Sequence, residues 1–599
     1  MTSLLFNPND YQPKHLDPES QRLLRSLIDW HEHRGKAQLK QDYHSARWYA
    51  DFQRFVADSE LFAHFATPAE VGELVDPAQP DAKWDTARIN ELNEILGFYS
   101  LDHWYAWQVT VLGLGPAWTS DNEEAKKLVG ELLRDGGFFG FGLSEQQHGA
   151  DIYATDMILR PDGAGGWLAS GPKYYIGNGN VAARLSVFGR FADDDPQRPG
   201  EYAFFLVDTR HPAYHLERNV VHGSMYVAAF ELDDYPVAAA DLLHTGRAAW
   251  DAALATVNVG KVNLGWAGIG ICEHAFYEAV SHAHNRVLYG NRVTDFSHVR
   301  RMLADAYARL LAMKLFAARS ADYFRCAHAE DRRFLLFNPI TKMKVTSEGE
   351  RVIDLLWDVI AARGFEADTY FEQAASHIRA LPKLEGTVHV NLALVLKFLP
   401  QYLIAAAGAG PELASVPVRI DSADDSYLFA QGSAAGLSKI PFADPRPAFT
   451  RFAHLPNVAV FIEQLTAFGN LVATNPPTAE QAKDLDLLLS IGQLFTQVVY
   501  GQLVCEAVAM ALDGVPDGTR GEGVSACAGI TEAHLDRIFA VFVRDFNQFA
   551  LDLQSQASAS PGQRTGALKL IHSPCIDADR EAEFVAEVIS YDGAYEMAP

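Results

Sequence analysis

Cysteine is scarce in this chain, with 5 among 599 residues. Cys272, Cys326, Cys505, Cys527 and Cys575 lie far apart and form no C-x-x-C pair. That excludes a zinc knuckle and a dense disulfide framework, and makes a reducing cytoplasm the simplest compartment. Basic residues are outnumbered, 50 Lys+Arg against 76 Asp+Glu, for a net charge of −26. A surface so acidic repels phosphate backbones and anionic lipid, so nucleic acid is a poor partner and membrane association gains no support. An anionic small molecule then needs a few Arg or Lys residues gathered at its site. Met1 to Tyr11 lacks a basic patch followed by an apolar core, so no secretory signal is expected. Long apolar runs are interrupted: Leu487 to Leu512 carries Gln493, Gln497 and Glu506 at near-helical spacing and reads as an amphipathic or core helix. There is no G-x-x-x-x-G-K-[ST] phosphate loop, H-E-x-x-H zinc helix or G-x-S-x-G elbow, and no metal is expected. Gly113-Leu-Gly115-Pro-Ala-Trp118 lacks the third glycine and the preceding strand of a dinucleotide fingerprint.

What remains is an ordinary globular composition, 48% hydrophobic and 21% charged, long enough for about four domains and several buried cores. From about Gln21 to Leu133 the pattern is helical, broken at Pro68, Pro77 and Pro80. Short β-like runs follow between Gly136 and Val237: Trp167 to Ala169, Leu185 to Phe191, Ala203 to Val207 and Ala228 to Leu232. They read as a small antiparallel sheet. Helix returns near Arg247, and Phe296, Val299, Leu303, Tyr307 and Leu310 mark one buried face. The stretch Val257 to His284 is apolar nearly all round yet holds Gly260, Gly265, Gly268 and Gly270. Each glycine costs about 1 kcal/mol in a helix interior, so close approach of a neighbouring backbone or a ligand is implied. Ala405 to Val416 reads as a linker, Pro447 to Ser555 as further helix, and the remainder as a polar, loop-like tail. The fold class is therefore α+β and mainly helical. An N-terminal helical domain (1–138), a central antiparallel sheet domain (139–246), a helical bundle (247–400) and an additional C-terminal helical domain (401–599) are expected.

Four segments, in order, carry a resemblance. Leu143-Ser-Glu-Gln-Gln-His-Gly-Ala-Asp151 is similar to a T-E-P-x-x-G-S-D loop, and Gly171-Pro-Lys-Tyr-Tyr-Ile-Gly-Asn-Gly179 to N-G-x-K-x-W-I-T-N-G. The stretch from Gly260-Lys261 through Asn285-Arg-Val-Leu-Tyr-Gly290 to Asp295-Phe-Ser-His-Val-Arg-Arg-Met-Leu-Ala-Asp305 resembles a long helix, an E-R-x-x-F-G turn and a D-F-x-x-V-x-x-x-L-A-D helix start. Leu384-Glu-Gly-Thr-Val-His389 is close to Y-E-G-T-x-Q. Together, over roughly Leu143 to Leu399, they resemble the acyl-CoA dehydrogenase family of flavoproteins. The 200 or so residues beyond resemble its very-long-chain branch, which has an extra C-terminal helical domain.

The resemblance implies an FAD enzyme of fatty acid β-oxidation that puts an α,β double bond into an acyl-CoA thioester and hands electrons to an electron-transfer flavoprotein. A carbon beside a thioester is feebly acidic, so a carboxylate must reach its proton while fixed donors stabilise the developing enolate oxygen. Glu385 matches the family's base, and its apolar neighbours Leu381, Pro382 and Leu384 should raise its pKa by desolvation. For the cofactor, Ser144 matches the threonine that contacts the flavin ring and Tyr175 the tryptophan that packs on it. Gly177 replaces a threonine that reaches the flavin edge, leaving only backbone there. Thr387 and His389 match positions lining the flavin nucleotide, with His389 standing for the usual Gln. Arg286 matches the cation that meets the FAD diphosphate, usually from the partner subunit, a task suited to a planar guanidinium. Lys261 stands where an arginine is common in the active-site helix, and with Leu384 and Gly386 it is assigned to the substrate. A lysine in so apolar a stretch needs a carboxylate or ligand as partner.

Gln146 and Ala150 depart from the proline and serine of the first loop. His148-Gly149 and Gly177 resemble acyl-CoA oxidases, whereas Glu385-Gly-Thr387 resembles the dehydrogenases. A non-catalytic acyl-CoA-binding homologue is the alternative from another class, and the intact Glu385 and Arg286 argue against it. By the same resemblance a homodimer is expected. Acyl chain length stays open, because pocket depth depends on packing.

Overall fold

The computed structural model describes residues 4–75, 82–221, 223–405, 416–419, 424–431, 436–513 and 529–599. Seven helices come first: α1 (Pro18–His44), α2 (Ala50–Ser59), α3 (Leu61–Ala66), α4 (Ala69–Val75), α5 (Thr86–Tyr99), α6 (Leu101–Trp118) and α7 (Glu123–Arg134). Asp17, Asp85, Ser100 and Asn122 cap four of them with side-chain oxygens, supplying acceptors to otherwise unpaired N–H groups. Strands follow: β1 (Phe139–Gly142), β2 (Ile158–Pro161), β3 (Trp167–Gly177), β4 (Arg184–Phe191), β5 (Tyr202–Val207), β6 (Tyr214–Asn219), β7 (Val227–Val237) and β8 (Leu242–Thr245). They form one sheet in the order β6-β7-β3-β2-β4-β5-β8, with β1 also on β4. The sheet is mixed and not wholly antiparallel as expected, because β1 and β2 both run parallel to β4. Each returns to the sheet through a connection too long to be a hairpin.

The 39-residue helix α8 (Arg247–Asn285) is the spine of the molecule. After a short hairpin of β9 (Val287–Leu288) and β10 (Asn291–Arg292) come α9 (Ser297–Arg325), α10 (Phe334–Ile340), a π-helical turn (Thr341–Val345), α11 (Thr346–Ile360), α12 (Tyr370–His377) and α13 (Val388–Leu396). The C-terminal part adds α14 (Arg446–Thr450), α15 (Pro456–Thr474), α16 (Leu485–Asp513), α17 (Glu532–Ser555), α18 (Pro561–Leu568) and α19 (Ala578–Ile589). The tail after Ser555 is thus partly helical: Ser560 and Asp577 cap its two helices, and Phe584, Val585 and Val588 of the second are buried. The expected linker Ala405 to Val416 lies almost wholly outside the described residues, as do Pro77, Pro80 and Cys527.

Close packing explains Gly260, Gly265 and Gly270 of α8, whereas a Cβ at Gly268 would meet only ordinary contact, Leu381 at 3.5 Å. A Cβ at Gly270 would lie 2.1 Å from the Glu94 carbonyl oxygen, and one at Gly97 2.3 Å from that of Ala267, so α5 and α8 touch backbone to backbone. Fewer cores form than the length suggests. One continuous apolar core runs through all the helical parts, and a second, smaller one fills the sheet. The C-terminal helices are joined to the bundle by buried charge as well. Arg309 of α9 donates to Asp545 of α17 at 2.7 and 2.8 Å and also to Glu348 of α11, which pairs with Lys344 at 2.7 Å. Two stretches, Val388–Ala405 and Leu485–Asp513, are long and apolar enough to cross a bilayer. The second is 83% buried within the fold, as a core helix would be.

Candidate active site

The turn between Lys383 and α13 carries the chain through two successive left-handed residues, Glu385 (φ 52°) and Gly386 (φ 84°). Such a conformation is strained for glutamate and persists only where the surroundings enforce it. Lys342, on the π-helical turn, enforces it from below: its ammonium donates to the Pro382 carbonyl at 2.7 Å and to that of Gly386. Asn391 adds bonds from Nδ2 to the Gly386 and Thr387 carbonyls, each 3.0 Å. So braced, the Glu385 carboxylate is turned inward against the middle of α8. Oε1 accepts from Gln108 of α6, and the buried Oε2 has no hydrogen-bond partner among the described residues. A Cβ at Gly260 would lie 2.9 Å from Oε2, so glycine there leaves room for the acid.

Burial pushes the Glu385 pKa up to about 7, opposed by the Gln108 hydrogen bond and the charges of Lys342 and Lys261. The expected desolvation is therefore present. Burial likewise lowers Lys342 to about 7 and Lys261 to about 8, with Glu385 acting in the other direction on both. Lys261 is 8% exposed and makes neither an ion pair nor a hydrogen bond among the described residues; it acts on Glu385 as a nearby charge. Two cations around one carboxylate leave the pocket with an excess of positive charge.

The sheet meets this acid through α6. A Cβ at Gly177 would fall 2.4 Å from Val109 and 2.9 Å from the Tyr105 hydroxyl, which explains the missing threonine: the helix fills its place. Tyr105 in turn feels the Glu385 charge, which with burial raises its pKa. Two residues before Gly177, a bulge in β3 holds Tyr175 at φ 61° with 61% of its surface exposed. The adjacent Tyr174 N–H donates to the Ser144 carbonyl at 3.0 Å. Ser144 is kept there by its neighbour Glu145, whose carboxylate takes Lys173 of β3 at 2.6 Å and the Thr155 hydroxyl at 2.6 Å.

The structure thus unites Ser144, Tyr175 and Gly177 on one edge of β3, and Lys261, Leu384, Glu385 and Gly386 around the carboxylate, with α6 between. Thr387 caps α13, its hydroxyl accepting from the Val390 N–H at 3.4 Å, and His389 is exposed in the first turn. Arg286 is not brought to the group. It caps the far end of α8, 26 residues from Gly260, or about 39 Å along a helix axis, and its guanidinium lies 3.4 Å from the His282 ring. Gln108 and Lys342 were not singled out by sequence. The signal was faint: Gln108 is an amide in a largely apolar helical run, which burial makes costly without a partner, and Lys342 is one of two lysines in Thr341–Val345 with nothing to set it apart.

A mainly helical chain with a central mixed sheet, a long glycine-bearing spine helix and a buried glutamate facing it defines a class of enzyme folds. Comparison with known proteins agrees. Residues 249–399 match the family model described as acyl-CoA dehydrogenase, C-terminal domain. Over 281 residues the chain is 25% identical to the short-chain specific acyl-CoA dehydrogenase of Megasphaera elsdenii, spanning 46% of this chain and 72% of that one. An acyl-CoA dehydrogenase of Bacillus subtilis is 28% identical over 301 residues, 48% of this chain and 76% of that one. Among solved structures, an acyl-CoA dehydrogenase from Bacillus anthracis complexed with FAD superposes with a TM-score of 0.69 at 16% identity, covering 98% of this chain and 97% of that one. These matches, the family model over residues 249–399 above all, support the resemblance to the acyl-CoA dehydrogenase family.

Proposed function

We propose that this protein is an FAD-dependent acyl-CoA dehydrogenase that forms an α,β double bond in a fatty acyl-CoA thioester, with Glu385 as the base for the α-proton. The observation that carries this is the Glu385 carboxylate: braced from two sides, desolvated, poised at about 7 and left with one oxygen, Oε2, that no donor among the described residues satisfies. A general base works best when its pKa lies near the operating pH. Among the described residues no acceptor takes the N–H groups of Glu385 and Gly386, so they are available to a thioester oxygen as negative charge develops on it. Lys261 and Lys342 add positive charge for the same moment.

The residues also fit the cofactor. Tyr175 offers an open ring face on a rigid bulge, and Ser144, Gly177, Thr387 and His389 complete the group that would hold FAD. FAD held there would supply the acceptor for the hydride of the β-carbon. Arg286 sits too far along α8 to reach its own chain's carboxylate. It adjoins a hairpin whose Val287 and Tyr289 are 61% and 95% exposed, which supports a homodimer in which Arg286 meets the diphosphate held by the other copy. The C-terminal helices support placement in the very-long-chain branch. An electron-transfer flavoprotein as acceptor, a role in β-oxidation and a cytoplasmic location complete the reading.

Glu385→Gln tests it. The variant should stay yellow and bind acyl-CoA yet lose turnover by about a hundredfold or more; unchanged turnover would move the base elsewhere. Reducing the enzyme with substrate and admitting air separates the oxidase alternative, which predicts fast reoxidation with stoichiometric peroxide.

A further inference from the structure

A single file of hydrogen bonds ends on Glu385. At its far end the indole N–H groups of Trp104 and Trp107, both fully buried, donate to Asn93 Oδ1 at 2.8 and 3.2 Å. An indole nitrogen can only donate. Asn93 must therefore turn its oxygen to the indoles and its nitrogen away, where Nδ2 donates to Asn263 Oδ1 at 3.0 Å and to the Ile89 carbonyl at 2.7 Å. With its oxygen occupied, Asn263 donates from Nδ2 to Gln108 Oε1 at 2.8 Å. Gln108 is left with Nε2 facing outward, and it donates to the Gly260 carbonyl at 3.1 Å and to Glu385 Oε1. An amide looks nearly the same in either orientation, so its direction is ordinarily inferred from its neighbours. Here the two donor-only indoles at one end and the acceptor-only Gly260 carbonyl and Glu385 carboxylate at the other demand the same direction of every amide along the file.

We propose that Gln108 is a positioning residue, held donor-forward by Trp104 and Trp107 through Asn93 and Asn263, so that the Glu385 carboxylate always meets an N–H and never a carbonyl oxygen. The role rests on Glu385 being the base. Were Gln108 to flip, its lone pairs would oppose the carboxylate while Asn263 lost its acceptor. No single amide of the file can turn without leaving buried groups unpaired, and such a loss is costly in a low dielectric. The other groups acting on Glu385 come from every side: Lys261 from α8, Lys342 from the π-helical turn and Tyr105 from α6. None of them is a member of the file, so their influence can be held constant while the file is cut.

The test uses the FAD-loaded protein and two readouts, the pH dependence of kcat/KM and an infrared titration of the Glu385 carboxyl band, identified by its loss in Glu385→Gln. Gln108→Leu should raise both midpoints by about one pH unit, a tenfold smaller ionised fraction on the acid side, as expected for losing a hydrogen bond to a charged group. Trp104→Phe combined with Trp107→Phe should shift them in the same direction, although neither indole touches Glu385. A residue that only filled space would lower stability and leave the midpoints alone. Unmoved midpoints in folded Gln108→Leu overturn the proposal. Should that variant fail to fold, unmoved midpoints in the double tryptophan variant or in Asn263→Leu do so. The base assignment fails separately, by retained turnover in Glu385→Gln, because the infrared midpoint reports on the carboxyl whether or not it is the base.

Discussion

Gly260 and Glu385 share one small space: a methyl group on the first would stand 2.9 Å from Oε2 of the second. Relieving the clash would require the carboxylate to move together with Gln108 Nε2 and Leu112, which are as close to the same point. Gly260→Ala should therefore lower kcat/KM by about a hundredfold, the scale of a displaced reacting group, while the helix itself gains from alanine. Steady-state kinetics with a melting curve measures both. Full activity would mean that the acid works from another position.

Because Glu385 must be ionised to take a proton and burial holds it near 7, kcat/KM should climb with pH through about 7 and level off above. Lys342 lowers that midpoint by its charge. Lys342→Met should consequently move the rising limb upward by about one unit and, by freeing the Pro382 and Gly386 carbonyls, reduce the plateau as well. A limb that stays in place would count against Lys342 facing the carboxylate.

Tyr175 presents most of its ring outside the protein, so its loss should hardly affect folding. An aromatic contact is worth about 0.5–1.5 kcal/mol. Tyr175→Ala should thus weaken FAD retention by about threefold to tenfold with an unchanged melting temperature for the cofactor-free protein. Fluorescence titration of stripped enzyme with FAD reads this directly, and equal affinity would remove Tyr175 from the flavin site.

The bundle and the C-terminal helices should come apart in acid. Glu348 and Asp545 are buried and lie below their usual ranges, held down against burial by Arg309 and, for Glu348, by Lys344. An acid with a depressed folded-state pKa contributes stability above the pKa of the unfolded chain and loses it as pH falls through the acid range. Urea midpoints should therefore drop steadily below about pH 4.5. Glu348→Gln should cost about 3–5 kcal/mol near neutrality, since it leaves buried cations uncompensated, and should flatten that acid dependence. A variant as stable as the parent would show the network to be dispensable.

Much of this site was readable as local chemistry. Local composition placed α8, β4 and β5, and amphipathic periodicity placed α9, because both are properties of consecutive residues. Glu385-Gly-Thr387 and the loop at Ser144 were legible as motifs, and the apolar residues beside Glu385 correctly implied a raised pKa. The pattern was silent on the parallel pairing of β1 and β2 with β4 and on the eight-residue α18, while α19 was missed although Phe584, Val585 and Val588 mark one apolar face.

The chain's own order of residues determined which elements form, which glycine-bearing helix lies at the centre and which acid ends up on a strained turn. Only the folded arrangement decided that Gln108, 277 positions away, meets that acid, that Lys342 holds its turn, that Val109 occupies the place of the missing threonine, and that Arg286 points away from its own site. Motifs record neighbours along the backbone, whereas desolvation, charge pairing and the direction of an amide depend on which distant segments are pressed together.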